Sequence, residues 1–188
     1  MTAKLAHFVG RVEAALGDGA DEATVLAAVR SAMSELVADD DWLPEAAAQP
    51  HPVHYQQFLL HKDPAARFSV VSFVWGPGQK TPIHDHTVWG VIGMLRGSEL
   101  SQGFAKSADG MTPEGQIERL QPGDVVAVSP AIGDIHQVCN AFDDKVSISI
   151  HAYGADIGQV RRHVFDPVTG VAKEFVSGYS GVAAGARP

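Results

Sequence analysis

His84 and His86 stand two residues apart in the stretch Ile83-His-Asp-His-Thr87, the densest chemical pattern in the chain. On a β-strand successive side chains point to opposite faces, so these two imidazoles share one face and Asp85 between them points away. Two imidazoles on one face of a rigid strand make half of a transition-metal site. His136, fifty residues beyond His86 and again in a β-like context, is the third candidate ligand. His7, His51, His54, His61 and His163 have no such context and read as structural or solvated. The pattern suggests a small β-barrel that holds a metal, and an enzyme.

A second polar row lies in residues 145–153, which alternate cleanly. Val146, Ile148 and Ile150 fall on one face, and Ser147, Ser149, His151 and Tyr153 on the other.

These side chains need a scaffold, and the rest of the chain supplies its elements. Leu5, Phe8, Val9, Val12 and Leu16 recur with helical spacing, as do Val25, Leu26, Val29, Met33 and Leu36. Residues 17–19 break the two helices, Asp21 opens the second, and the acidic run 39–41 ends it. Residues 42–54 carry three prolines without a period and read as a connector. From Arg67 onward the texture is that of strands: 68–75, 88–95, 99–104, 116–120, 125–128 and 145–153. Residues 76–78, 96–97, 121–124 and 131–134 are turns, and 107–115 reads as a polar loop inside a hairpin. Many short strands with frequent Gly/Pro turns indicate a jelly-roll barrel. The pattern predicts one domain over 1–188, with a helical segment at about 1–40 that covers a barrel edge, and a barrel at about 55–177. The Gly/Ala-rich tail after Ser177 reads as loose.

Composition narrows the function. The formal net charge of -8 argues against nucleic acid and against an anionic membrane surface as partners. No apolar run approaches the roughly 18 residues that span a bilayer. The single cysteine, Cys139, excludes an internal disulfide and reads as a small buried hydrophobe. With no export signal at the N-terminus, the expected location is the cytoplasm.

The run from Gly78 through His84 and His86 to Gly97 resembles the first motif of the cupin superfamily, and Gly123 to Asn140, with Pro130, Gly133 and His136, resembles the second. The resemblance implies a mainly β fold, a cupin jelly-roll β-barrel with an N-terminal pair of α-helices. Many cupins carry a metal-binding glutamate four residues after the second histidine, where this chain has Gly90. The implied site is therefore three histidines without a carboxylate, a set that favours an anionic ligand such as a thiolate.

Between about Tyr55 and Arg162 the chain resembles, more narrowly, the thiol dioxygenases of the cysteine dioxygenase family. Ile83 to Thr87, His136 and the Ser149-Ile-His-Ala-Tyr153 stretch carry the likeness. It implies an Fe(2+) cofactor on His84, His86 and His136, with Ser149, His151 and Tyr153 as a hydrogen-bond chain beside it. The mammalian cysteine enzymes hold the substrate carboxylate with an arginine just after the tyrosine matched by Tyr55. Gln57 stands there in this chain, as in bacterial members that prefer 3-mercaptopropionate. In those members a later arginine binds the carboxylate, and Arg162 matches it, with Arg161 next to it as the competing choice. A guanidinium fork suits a carboxylate. The crosslinking cysteine of the mammalian enzymes falls at Gly90, so no crosslink is expected. The implied activity is oxidation of 3-mercaptopropionate to its sulfinate by O2. The alternatives are L-cysteine as substrate, a non-catalytic metal-binding cupin, and a zinc or manganese cupin that isomerises or decarboxylates.

Overall fold

The protein is described here by a computed structural model, which covers residues 1–17 and 19–181. Two helices lead. In α1 (Ala3–Ala15), Leu5, Phe8, Val9 and Val12 form the buried stripe. In α2 (Glu22–Leu36) the stripe is Val25, Leu26, Val29, Ala32, Met33 and Leu36. Asp21 caps α2 by accepting from the Thr24 N–H at 2.8 Å, which satisfies one of the orphan donors of the first turn.

Among the described residues eleven strands follow: β1 (Gln56–Lys62), β2 (Ser69–Trp75), β3 (Ile83–His84), β4 (Gly90–Arg96), β5 (Glu99–Ser107), β6 (Gly110–Leu120), β7 (Val125–Val128), β8 (His136–Asn140), β9 (Ser147–Tyr153), β10 (Arg162–Phe165) and β11 (Ala172–Phe175). They form a five-stranded sheet, ordered β1-β2-β9-β4-β7, and a six-stranded sheet, ordered β11-β10-β3-β8-β5-β6. All pairings are antiparallel. This is the mainly β, jelly-roll architecture with an N-terminal helix pair that the sequence predicts.

β9 is buried on both faces because helices cover one side of its sheet. Ile148, Ile150 and Ala152 join Val70, Val74, Val91 and Leu95 in one core with the apolar stripes of α1 and α2. The helix pair thus covers a whole sheet face, and α2 also packs on its edge strand β7. The apolar face needed that cover, since each buried aliphatic side chain contributes about 1.5–3 kcal/mol. The approach is close: a Cβ on Gly93 would lie 2.6 Å from Met33 Cγ. On the edge strand β7, Arg30 donates to the Val125 carbonyl at 3.3 Å.

Two other expectations change. Residues 107–115 are not a loop, because β5 and β6 pair out to Ser107 and Gly110. Pro113 is compatible with pairing there because β6 is an edge strand, where a missing N–H costs little. Nor is the chain loose directly after Ser177. Gly178 donates to the Gly158 carbonyl at 3.0 Å, and Ser180 exchanges bonds with the Gln57 backbone, both at 2.8 Å. Residues 182–188 lie outside the described residues.

Asn140 ties the end of β8 to both sheets. Its Nδ2 lies within 3.1 Å of the carbonyls of Trp75, Gly76 and Lys145. Its Oδ1 accepts from the Phe142 N–H at 3.1 Å and the Ser147 hydroxyl at 2.8 Å. Asn140→Ala strands several buried polar groups at once, and we expect a loss of about 3 kcal/mol in urea denaturation.

Candidate metal centre

β3 and β8 bring the first and third histidines together. His84 and His136 are direct register partners across this antiparallel pair. His86 lies two residues beyond His84, and one ring nitrogen from each of the three falls within 4.8 Å of the others. The ring centroids form a near-equilateral triangle with sides of 5.0, 4.9 and 4.9 Å.

Each ring has a partner at Nδ1 that orients it. His84 Nδ1 lies 3.1 Å from the Pro82 carbonyl, and His136 Nδ1 lies 3.2 Å from Ser101 Oγ. His86 Nδ1 lies 3.0 Å from Asp134 Oδ1, which also accepts from the His86 backbone N–H, while Oδ2 accepts from the Thr87 N–H at 2.9 Å. A carbonyl or carboxylate at Nδ1 fixes the proton there and leaves Nε2 as the lone-pair donor. Burial, reinforced by the facing His86, pushes His84 down to about 3. Burial, followed by the other two imidazoles, also holds His136 well below its ordinary value. Burial opposes ionisation of Asp134, yet its bonds from His86 keep the carboxyl below the usual carboxylate range. The donor set is thus convergent and supported by outer partners, which fits a transition metal.

Asp85 points away, as strand alternation requires. It accepts from the His163 N–H at 2.7 Å and faces His163 Nδ1 at 2.8 Å, so His163 is a structural residue. His51 and His54 stack on each other at 3.8 Å, and His61 lies against Phe68. Cys139 is half-buried and not the buried hydrophobe expected.

The polar row of β9 forms a chain. Ser149 Oγ lies 2.8 Å from His151 Nε2, and His151 Nδ1 lies 2.8 Å from the Tyr153 hydroxyl. Burial, then the nearby His86 and His84, hold His151 well below its ordinary pKa, so the ring is neutral. Burial also raises the Tyr153 phenol. The Tyr153 ring stacks on His86 with centroids 5.6 Å apart, which joins this chain to the cluster.

Arg161 lies just before β10 and Arg162 opens it, and the two differ in burial. Arg161 is exposed, 3.6 Å from Glu174. Arg162 is 3 % exposed, lies over the Phe175 ring and donates to Ser177 Oγ at 2.7 Å. Gln57 on β1 is also buried, and its Nε2 approaches Ser177 Oγ at 3.5 Å and the Gly178 carbonyl at 3.3 Å. Arg162 and Gln57 therefore meet at one serine hydroxyl. Asp166 does not pair with Arg162; it caps the turn at Val168 and Thr169.

The cysteine dioxygenase type I family profile matches residues 21–166. The chain belongs to this family. Among solved structures, it is similar to a conserved double-stranded β-helix protein from Klebsiella pneumoniae, at 16% identity over 70% of this chain and 91% of that one, with a TM-score of 0.46. It is also similar to a cupin superfamily protein from Desulfitobacterium hafniense, at 15% identity over 63% and 94%, with a TM-score of 0.47. Membership in the cysteine dioxygenase type I family points to an oxidoreductase of the dioxygenase class. No helix among the described residues is long and apolar enough to cross a membrane.

Sequence reasoning missed Asp134, Ser101, Ser177 and Glu99. Glu99 opens β5 and is 2 % exposed. Burial raises its carboxyl to about 7 against the opposing bonds from Ser149 and Trp75. A carboxyl raised in the folded state contributes stability that is complete below its unfolded value and lost as pH rises through the folded one. Between pH 4.5 and about 7 the protein therefore loses stability relative to Glu99→Gln, by up to about 3 kcal/mol. Urea midpoints of the two proteins across this range measure the difference.

Proposed function

We propose that this chain is an iron(II)-dependent thiol dioxygenase of the cytoplasm that oxidises 3-mercaptopropionate to its sulfinate, with both atoms of O2 entering the product. The observation that carries the reading is Arg162. It is a buried guanidinium with no acidic partner among the described residues, and its Nε has no hydrogen-bond partner. A buried cation without a counter-ion is costly unless a ligand supplies the anion. A substrate carboxylate matches that need, and a guanidinium binds it through two parallel bonds.

His84, His86 and His136 would hold the iron, which supplies the redox chemistry that joins thiol and O2. Three neutral imidazoles leave the metal charge uncompensated, so a thiolate from the substrate is favoured. Arg162 would fix the carboxylate end, and Gln57 would support it through their shared contact with Ser177. Tyr153, oriented by His151 and Ser149, would offer a hydroxyl proton at the reacting end. L-Cysteine differs by an ammonium group, and the buried charge beside Gln57 is the cation of Arg162, which disfavours a second cation.

Oxygen uptake by anaerobically iron-loaded protein tests the reading, with 3-mercaptopropionate and L-cysteine compared across concentration. We expect higher kcat/KM with 3-mercaptopropionate, and loss of uptake in His84→Ala. A preference for L-cysteine would overturn the substrate assignment, and no uptake with either thiol would overturn the activity. Arg162→Gln removes the charge that holds the carboxylate, so KM for 3-mercaptopropionate should rise about 100-fold, with a smaller change in kcat.

A further inference from the structure

The chain Tyr153–His151–Ser149 can run in two directions, and its neighbours decide between them. A neutral imidazole has one donor and one acceptor nitrogen. If Nδ1 carries the proton, His151 donates to the Tyr153 oxygen, Ser149 donates to Nε2, and the phenolic hydrogen is free to point into the cavity. If Nε2 carries it, Tyr153 donates back to Nδ1, His151 donates to Ser149, and the Ser149 hydrogen needs an acceptor beyond.

Two groups meet Ser149 from that far side. The Trp75 indole donates to Ser149 Oγ at 3.2 Å, and it is a donor in either case. The other is the carboxyl of Glu99, which lies against the Ser149 hydroxyl and the Trp75 indole. A carboxyl is the one partner here that can change from acceptor to donor. When ionised, it accepts from Ser149, and Ser149 accepts from Trp75 and His151. When protonated, it donates to Ser149, and Ser149 accepts from Trp75 and Glu99 and donates to His151. The bonding capacity of the serine is filled in both states.

Glu99 is enclosed in a way that makes both states accessible. Its Oε1 has no hydrogen-bond partner, and no salt bridge reaches it among the described residues. Facing it are Trp75 of β2 and Ser149 of β9, and its charge is felt at Tyr153 further along β9. Cys139 of β8 lies beside its register partner Asn140. On the β6 side Arg119 donates to Ser98 at 3.2 Å and not to Glu99. On β4, Arg96 turns to Asp40.

We propose that Glu99 is a positioning residue that sets the direction of the Tyr153–His151–Ser149 chain, with the protonated carboxyl turning the Tyr153 hydroxyl outward and the ionised carboxyl turning it back onto His151. The assignment rests on the functional reading above only for its consequence in catalysis. Outward donation suits a reacting oxygen, so Glu99 would tie turnover to its own protonation without touching substrate.

The test reads the tautomer directly. Full-length, zinc-loaded protein with 15N-labelled histidine is titrated from pH 5.5 to 8.5, and the Nδ1 and Nε2 shifts of His151 are followed by NMR. Zinc is diamagnetic and keeps His84, His86 and His136 from titrating. In the wild type we expect His151 to change from Nδ1–H to Nε2–H as pH rises. In Glu99→Gln, and separately in Ser149→Ala, the tautomer should not change with pH. A wild-type tautomer that stays constant over the range overturns the assignment, as does a switch that persists in Glu99→Gln. No thiol enters this experiment. A protein that switches yet oxidises no thiol therefore supports the role of Glu99 while removing the functional reading.

Discussion

β9 is buried on both faces, and the two faces have opposite requirements. Toward the helices it presents Ile148, Ile150 and Ala152, which gain from leaving water. Toward the barrel interior it presents Ser149, His151 and Tyr153, which lose their water and must find partners inside the protein. A strand with this period cannot shift register by one residue without exchanging the two rows. Burial of the apolar row by α1 and α2 therefore fixes the polar row in place. The helix pair acts on the chemistry from the far side of a sheet.

The same constraint explains why two of the three outer partners of the histidines come from elsewhere in the fold. A buried imidazole needs an acceptor at Nδ1, and its own strand has few to offer. Pro82 serves His84 from two residues away, but Asp134 and Ser101 reach His86 and His136 from other parts of the fold. Antiparallel closure of the β10-β3-β8-β5 ladder brings these groups together. The rings arrive oriented, so binding a metal requires little rearrangement.

Legibility in the sequence divided along this line. Features that depend on local period were readable: the helical stripes, the shared face of His84 and His86, the alternation at residues 145–153, and the orientation of Asp85. Features created by tertiary closure were not. Strands β10 and β11 are short and carry no clean alternation, and the docking of residues 177–181 on β1 depends on backbone bonds that no motif announces. The loop expected at 107–115 is paired because a neighbouring strand was available to it. Glu99 looked like the polar start of a strand, since nothing local says that its side chain turns inward to Ser149.

Gly90 links the ligand set to the tyrosine. Its register partner on β9 is Tyr153, and a Cβ at this position would lie 3.0 Å from two ring carbons of Tyr153 and 3.1 Å from Val128. Contacts that short force a neighbour to move, and an interior aromatic ring between two strands has little room to do so. A fourth ligand side chain at residue 90 and the present Tyr153 ring thus compete for one volume. By keeping glycine, the chain keeps the ring stacked on His86 and forgoes a carboxylate beside the three imidazoles. The anionic charge that such a carboxylate would bring to a metal must then come from outside the protein. In the proposed reaction that charge would come from the substrate thiolate, and the guanidinium of Arg162, without an acidic partner among the described residues, would take a second anionic group on the same molecule.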